Sequence, residues 1–283
     1  MTVVIGGCGD LGTETGLRFA ALGRRVIGLR RSAEKLPPEI EGQSVDLSAD
    51  VPTLPADTTI MVIAMAPDER SVAAYRAVYV DSVRRIVEAI HRDCAAVPRV
   101  LFVSSTAVYG VDDGSWVSEA TPANPSTPTA VILREAEELL RGQIPGATIL
   151  RLGGIYGPGR TREIDRILAG LSTISSAPRF TNRIHRDDAA AAIVHLTTQP
   201  GESGTVHVGV DDCPVEHREV VDFLARTLGL PQPSVATDPG RPHGGRGKRC
   251  DNTGLRETGF VFSYPSYREG YAAVLEGTGV RHP

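Results

Sequence analysis

The chain has 283 residues, 41% of them apolar and 23% charged, with a formal net charge of −4. That size and balance fit one large α/β domain, or a domain plus a lobe, around a packed core. They give no electrostatic case for nucleic acid or an anionic membrane, and the longest apolar run, Ile60 to Pro67, is far too short to span a bilayer.

No basic segment precedes an apolar one at the N-terminus, so no signal peptide is expected. Cys8, Cys94, Cys213 and Cys250 are scattered without a CxxC pair. This suits reduced thiols in the cytoplasm and argues against a metal site. Thr2 to Ile5 reads as a first strand, followed by Gly6-Gly7-Cys8-Gly9-Asp10-Leu11-Gly12 and a helical pattern that Gly23 closes. Strand, glycine-rich turn and helix form the context a dinucleotide-phosphate loop requires. Gly6 is expected to permit the tight turn, Gly9 to let the backbone approach a pyrophosphate, and Gly12 to let the helix pack on the strand. The N–H groups of the first helical turn, from Asp10 and Leu11 onward, then face the phosphates. Asp10 is the misfit, since its carboxylate repels a pyrophosphate unless it turns away to cap the helix. The plainer alternative is a glycine-rich turn without ligand.

Arg25 to Leu29 is a second strand, ending in Arg30-Arg31-Ser32. An acidic residue at this point would bind a ribose 2′-OH, whereas arginine suits a 2′-phosphate, so NADP is favoured over NAD. The alternative is a solvated basic turn. Asp46 follows a weak third strand, and Ala64 lies in the buried run Thr59 to Ala66. Both join the cofactor-binding candidates. Tyr75 to His91 has a helical stripe of Tyr79, Val83, Ile86, Val87 and Ile90. Arg99 to Ser104 is another buried strand. Strands alternating with helices imply a doubly wound parallel Rossmann sheet.

Ser104-Ser105-Thr106-Ala107-Val108-Tyr109-Gly110 follows, at a strand's carboxyl end, where open α/β sheets bind ligands. With the early GxxGxxG loop, Asn124-Pro125, Arg151 to Gly159 (RLGGIYGPG) and Ile184-His185-Arg186-Asp187-Asp188, the chain resembles the extended short-chain dehydrogenase/reductase family, also called the NAD-dependent epimerase/dehydratase family. The resemblance covers nearly the whole length. It implies a dinucleotide-binding domain over residues 1–155 with return segments near 184–210. It also implies a small C-terminal substrate-binding lobe from 156–183 and 211–283. A homodimer is in keeping with a family whose members often pair through two helices.

In that family a YxxxK motif supplies a tyrosine acid/base and a lysine that lowers its pKa. Aligned on Asn124-Pro125 and Glu137-Glu138, those positions hold Thr129 and Leu133, and no YxxxK occurs elsewhere. Thr129 does not ionise near neutral pH and Leu133 carries no charge. The chain therefore looks like an atypical branch of the family. The remaining catalytic candidates are Ser105, Tyr79, Tyr109 and Tyr156, with His185 as a proton-exchanging group. Packing of loops against the sheet is the favoured reading of Tyr109 and Tyr156, and anchoring of a turn that of His185, while Tyr79 equally suits the core. Arg151, Arg160 and Arg183, and the Gly/Pro-rich segment Asp238 to Lys248, are candidates for an anionic substrate. Phe260, Phe262, Tyr264 and Tyr267 are expected in the core of the lobe. The expected activity is that of an NAD(P)-binding oxidoreductase-like enzyme on a small polar molecule with a non-standard site. The alternatives are a non-catalytic NADP-responsive binding protein or a redox-neutral epimerase or dehydratase.

Overall fold

A computed structural model describes residues 1–199, 204–236 and 245–283. Its frame is one parallel sheet. Strands β1 (Thr2–Gly6), β2 (Arg25–Arg30), β3 (Glu41–Ser44), β4 (Thr58–Ile63), β5 (Arg99–Ser105), β6 (Thr148–Leu152) and β7 (Val206–Gly209) lie in the spatial order β7-β6-β5-β4-β1-β2-β3. Chain order runs outward both ways from β1 and β4, which is the doubly wound arrangement. β1 is central and wholly buried, paired with β2 on one side and β4 on the other.

Helices cover both faces. α1 (Asp10–Ala21) packs against α5 (Arg186–Thr198) on one face, around Ile5, Phe19, Val62, Leu150 and Ile193. On the other face lie α2 (Ser82–Asp93) and α3 (Pro128–Gln143), around Met61, Ile86, Phe102, Leu140 and Ile149. Val83, Ile86, Val87 and Ile90 of α2 are buried, as their spacing predicts. The helix does not begin as a regular one, however. Val72–Tyr75 is α-helical, Arg76–Asp81 is a π-helical turn, and only then does α2 begin. Thr127 caps α3 by accepting from Ala130 N–H, and Pro128 sits in its first turn.

A third apolar cluster gathers α4 (Arg162–Leu168), α6 (His217–Thr227) and α7 (Tyr267–Leu275) around Tyr156, Ile167, Leu224, Tyr267 and Tyr271. Ahead of α6, Val215–Glu216 pairs as a short strand with Phe180–Thr181. One expectation needs correcting here. Phe260 and Phe262 are not in this cluster: they stack edge-to-face on each other at the sheet face carrying α1 and α5. Most of the segment Asp238 to Lys248, namely 238–244, lies outside the described residues.

Candidate functional site

A cleft of about 740 Å³ runs across the carboxyl ends of the parallel strands. Its walls come from the loop after β1, the ends of β2, β4, β5 and β6, and the turn after β3. From β2 to β5 is three inter-strand steps, roughly 14 Å at about 4.8 Å each. The cleft therefore suits an extended ligand.

The glycine loop is built for close approach, but its parts are distributed differently from the sequence expectation. Gly6 ends β1 within the sheet; the tight turn falls on Gly7, at φ +80°. A Cβ there would also lie 2.7 Å from Met65. Gly9 faces open space, with nothing within 4 Å of a Cβ position, which leaves room for a phosphate over the start of α1. A Cβ on Gly12 would meet the Gly7 carbonyl oxygen at 2.7 Å, so only glycine lets α1 sit this close. Asp10 does not cap the helix. Its carboxylate accepts from Arg160 Nε (2.6 Å), Arg186 Nη1 (2.8 Å) and the His282 N–H (3.1 Å). Burial alone would push the Asp10 carboxyl up, but these donors outweigh it and hold it below its ordinary value. The two guanidiniums also answer the electrostatic objection to a carboxylate beside a pyrophosphate.

Gly9, Asp10, Leu11, Arg30, Arg31, Asp46, Ala64, Ser105 and Tyr79 all line this one cleft. Gly6 and Gly12 stand behind its wall. Arg30 Nη1 donates to the Cys8 carbonyl and to a Pro283 main-chain oxygen, while Arg31 reaches Asp68 at 2.7 Å on the surface. Asp46 is held by Ser48, whose hydroxyl and N–H both donate to it and keep its pKa low.

Ser105 lies at the end of β5, where its Oγ accepts from Ala107 N–H and, among the described residues, its own proton meets no acceptor. Tyr79 comes from the π turn and stacks edge-on against Phe102. Burial raises its pKa, so the phenol stays protonated. Among the described residues its hydroxyl makes no hydrogen bond. The other two tyrosines are not brought to the cleft. Tyr109 is 1% exposed and its hydroxyl receives Arg151 Nη1 at 2.9 Å. Tyr156 is packed in the third cluster, with its hydroxyl on the Ser266 carbonyl at 3.4 Å. Thr129 is half-buried off the cleft, and Leu133 is buried in the sheet-face core.

The charged candidates divide in the same way. Arg160 lines the cleft. Arg151 is buried against Glu137, and Arg183 is buried beside Thr181. His185 caps α5: its Nδ1 accepts the Asp187 N–H, its ring stacks on Tyr264, and burial pushes its pKa down to about 4. It is an anchored neutral imidazole, not a proton exchanger facing the cleft. Lys248 donates to the Tyr109 carbonyl, and Arg249 lies over Phe180 at 4.0 Å. Sequence reasoning missed Ser82, Gly153, Ile155 and the segment Arg281–Pro283, which also line the cleft. Ser82 is one turn from Tyr79 and was within reach of periodicity. Nothing in Arg-His-Pro signals a contact with residues some 250 positions away. Among the described residues, no group of three His, Cys, Asp or Glu could hold a metal, and no helix is long and apolar enough to cross a membrane.

Parallel strands in this order, an open glycine loop and a cleft across the switch between β1 and β4 define a dinucleotide-binding Rossmann protein. The chain belongs to the NAD dependent epimerase/dehydratase family, whose pattern matches residues 2–209. Protein YeeZ of Escherichia coli (strain K12) is 31% identical, across 93% of this chain and 96% of that one. The structure of a putative NAD-dependent epimerase/dehydratase from Methylobacillus flagellatus is 32% identical, covers 98% of each chain and superposes with a TM-score of 0.78. MoeE5, solved with UDP-glucuronic acid and NAD, shares the fold at 23% identity, 96% coverage of each chain and a TM-score of 0.81. Family membership makes this an NAD(P)-binding protein of oxidoreductase-like, enzymatic kind.

Proposed function

We propose that the protein binds NADP(H) along the cleft and uses it in a redox reaction on a small polar, anionic molecule. The observation that carries this is the joining, in one cleft, of Arg30 and Arg31 at the end of β2, the open glycine loop and the hydroxyls of Ser105 and Tyr79. The residues fit a dinucleotide: Gly9 leaves the phosphate space free, and Asp10 is neutralised before any phosphate arrives. When bound, the dinucleotide supplies or accepts the hydride. The first N–H groups of α1 hold the pyrophosphate, and Arg30 and Arg31 hold the 2′-phosphate by charge-assisted bonds. Ser105 donates its free proton to a substrate oxygen, and Tyr79, kept neutral by burial, donates a second hydrogen bond. Arg160, already at the cleft wall, attracts an anionic substrate. The described residues of 156–183 and 211–283 close the substrate side. The four free thiols suit the cytoplasm, and Val72 and Val131, exposed on neighbouring helices, suit pairing of two copies.

Two measurements test this reading. Arg30→Ala with Arg31→Ala should weaken NADPH binding by about 10- to 100-fold, the loss of one or two charge-assisted bonds, and leave NADH nearly unchanged. Ser105→Ala with Tyr79→Phe should lower turnover by about 10²-fold or more at unchanged NADPH affinity. Equal losses for both nucleotides, or intact turnover in the double variant, would refute it. Thr129 and Leu133 favour a second reading, a non-catalytic NADP-responsive binding protein. That reading predicts NADPH binding without oxidation of NADPH on any substrate panel. Cofactor retained through purification would point instead to a redox-neutral epimerase or dehydratase.

A further inference from the structure

Residues Val280 to Pro283 cross the cleft on its phosphate-loop side, and each is anchored. Arg186 Nη2 donates to the Val280 carbonyl (2.9 Å), and Arg281 Nη1 donates to the Gly159 carbonyl (3.0 Å). His282 gives its N–H to Asp10 Oδ1 (3.1 Å) and sets its Nε2 against Glu14 Oε2 (2.9 Å). A Pro283 main-chain oxygen accepts from Arg30 Nη1 at 2.8 Å. The segment thus runs from the start of α5, over the start of α1, to the end of β2. It finishes on the side chain that the reading above assigns to the 2′-phosphate.

Pro283 gives that guanidinium a single oxygen, at 2.8 Å, whereas a phosphate monoester offers three and a charge of nearly two. We propose that Arg281–Pro283 form a strap over the 2′-phosphate subsite, displaced from Arg30 by a 2′-phosphorylated nucleotide and left in place by one without that phosphate. The inference rests on the NADP reading. The strap lowers apparent affinity only for the phosphorylated ligand, by the fraction of molecules in which Arg30 is free. It thereby sets the discrimination between the two dinucleotides. Its hold is tuned at α1, where Glu14 also takes Arg18 Nε at 2.9 Å and Arg186 Nη2 at 3.7 Å.

Calorimetric titration with 2′-phospho-ADP-ribose and with ADP-ribose tests the strap without turnover. Deleting Arg281–Pro283 should tighten the phosphorylated probe about fivefold, as expected if Arg30 is free in about one molecule in five, and change ADP-ribose less than twofold. His282→Ala, which removes only the hold on Glu14, should shift the same probe in the same direction by a smaller factor. Weaker binding of either probe after deletion, or no change in both variants, overturns the strap and leaves the segment a plain wall. Arg30→Ala separates the two proposals. If it weakens the phosphorylated probe in the full chain, the NADP reading stands whatever the deletion does. If it changes nothing, the NADP reading falls and the strap with it.

Discussion

Glu137→Gln is expected to destabilise the protein by about 3 kcal/mol or more. Glu137 is fully buried on α3, yet its carboxylate takes four donors: Arg151 Nε (3.0 Å) and Nη2 (2.7 Å), Arg134 Nη1 (2.9 Å) and Ser104 Oγ (2.6 Å). Arg151 is 3% exposed and, among the described residues, has only Tyr109 as a further partner. Glutamine replaces one acceptor oxygen with an amide that points donors at a guanidinium. The Arg151 charge is then left buried without its counterion, a loss of about 3–5 kcal/mol against a total stability of about 5–15. Arg134 is half spared because Glu138 also holds it at 2.9 Å. Glutamine keeps one oxygen, which places the effect at the lower end. Urea denaturation followed by circular dichroism gives the number. The same reasoning predicts that Glu137→Met with Arg151→Met recovers at least half the loss, since both charges leave together. A single-variant cost under about 1 kcal/mol, or a double variant worse than the single, would refute it.

Two glycines in helices should respond with opposite signs. Gly12→Ala drives a Cβ to 2.7 Å from a backbone oxygen, so it should cost about 1–3 kcal/mol despite alanine's helix propensity. Gly142→Ala, on α3 with nothing within 4 Å, should gain about 0.4–1 kcal/mol in the same denaturation assay. The pH dependence should also carry two opposed components. His185, depressed by burial to about 4, contributes stability that is present above about pH 6.5 and lost as pH falls toward 4. Burial pushes the Asp211 carboxyl up to about 8, against the Cys213 N–H that donates to it. Its contribution is present below about pH 4 and lost as pH rises through 8. Between pH 6.5 and 8 only Asp211 acts, with a slope of up to about 1.4 kcal/mol per unit. Asp211→Asn should flatten that limb, and His185→Asn, which keeps a capping acceptor for Asp187, should flatten the acid one. Unchanged urea midpoints across either window would contradict these assignments.

The parts of the fold legible in the sequence are those governed by local rules. Apolar runs gave β1, β4 and β5, the helical stripe gave α2, and Gly9 and Gly12 fell where the loop needs them. The parts that were not legible depend on partners distant in sequence. Tyr109, in a loop motif, points toward either the cleft or the core until Arg151 claims its hydroxyl. Arg151 reads as a free cation until Glu137 is found beneath it. The acceptor of the Asp187 N–H is His185, two residues away, which is why that histidine's anchoring role was available as an alternative and its burial was not. The turn at Gly7 was missed because consecutive glycines give periodicity nothing to choose between.

At positions 129 and 133, where the resemblance implies a tyrosine and a lysine, α3 carries Thr129 and Leu133. Leu133 faces the core, and Glu137, one turn further on the same face, is sealed by Arg151 from β6. A lysine ammonium at 133 would enter an apolar setting already furnished with its own paired charges, so restoring it alone would not restore a catalytic pair. The polar groups that do reach the cleft come from elsewhere, Ser105 from the end of β5 and Tyr79 from the π turn. A π turn inserts one extra residue, which rotates the preceding segment by about 100° relative to an uninterrupted α-helix. That rotation decides which residue of Arg76–Asp81 looks into the cleft. It brings Tyr79 there while Val80 is buried and Ser82 Oγ closes on the Ala77 carbonyl five residues back. The cleft thus has a phenol and a hydroxyl, Tyr79 and Ser105, neither of which comes from α3.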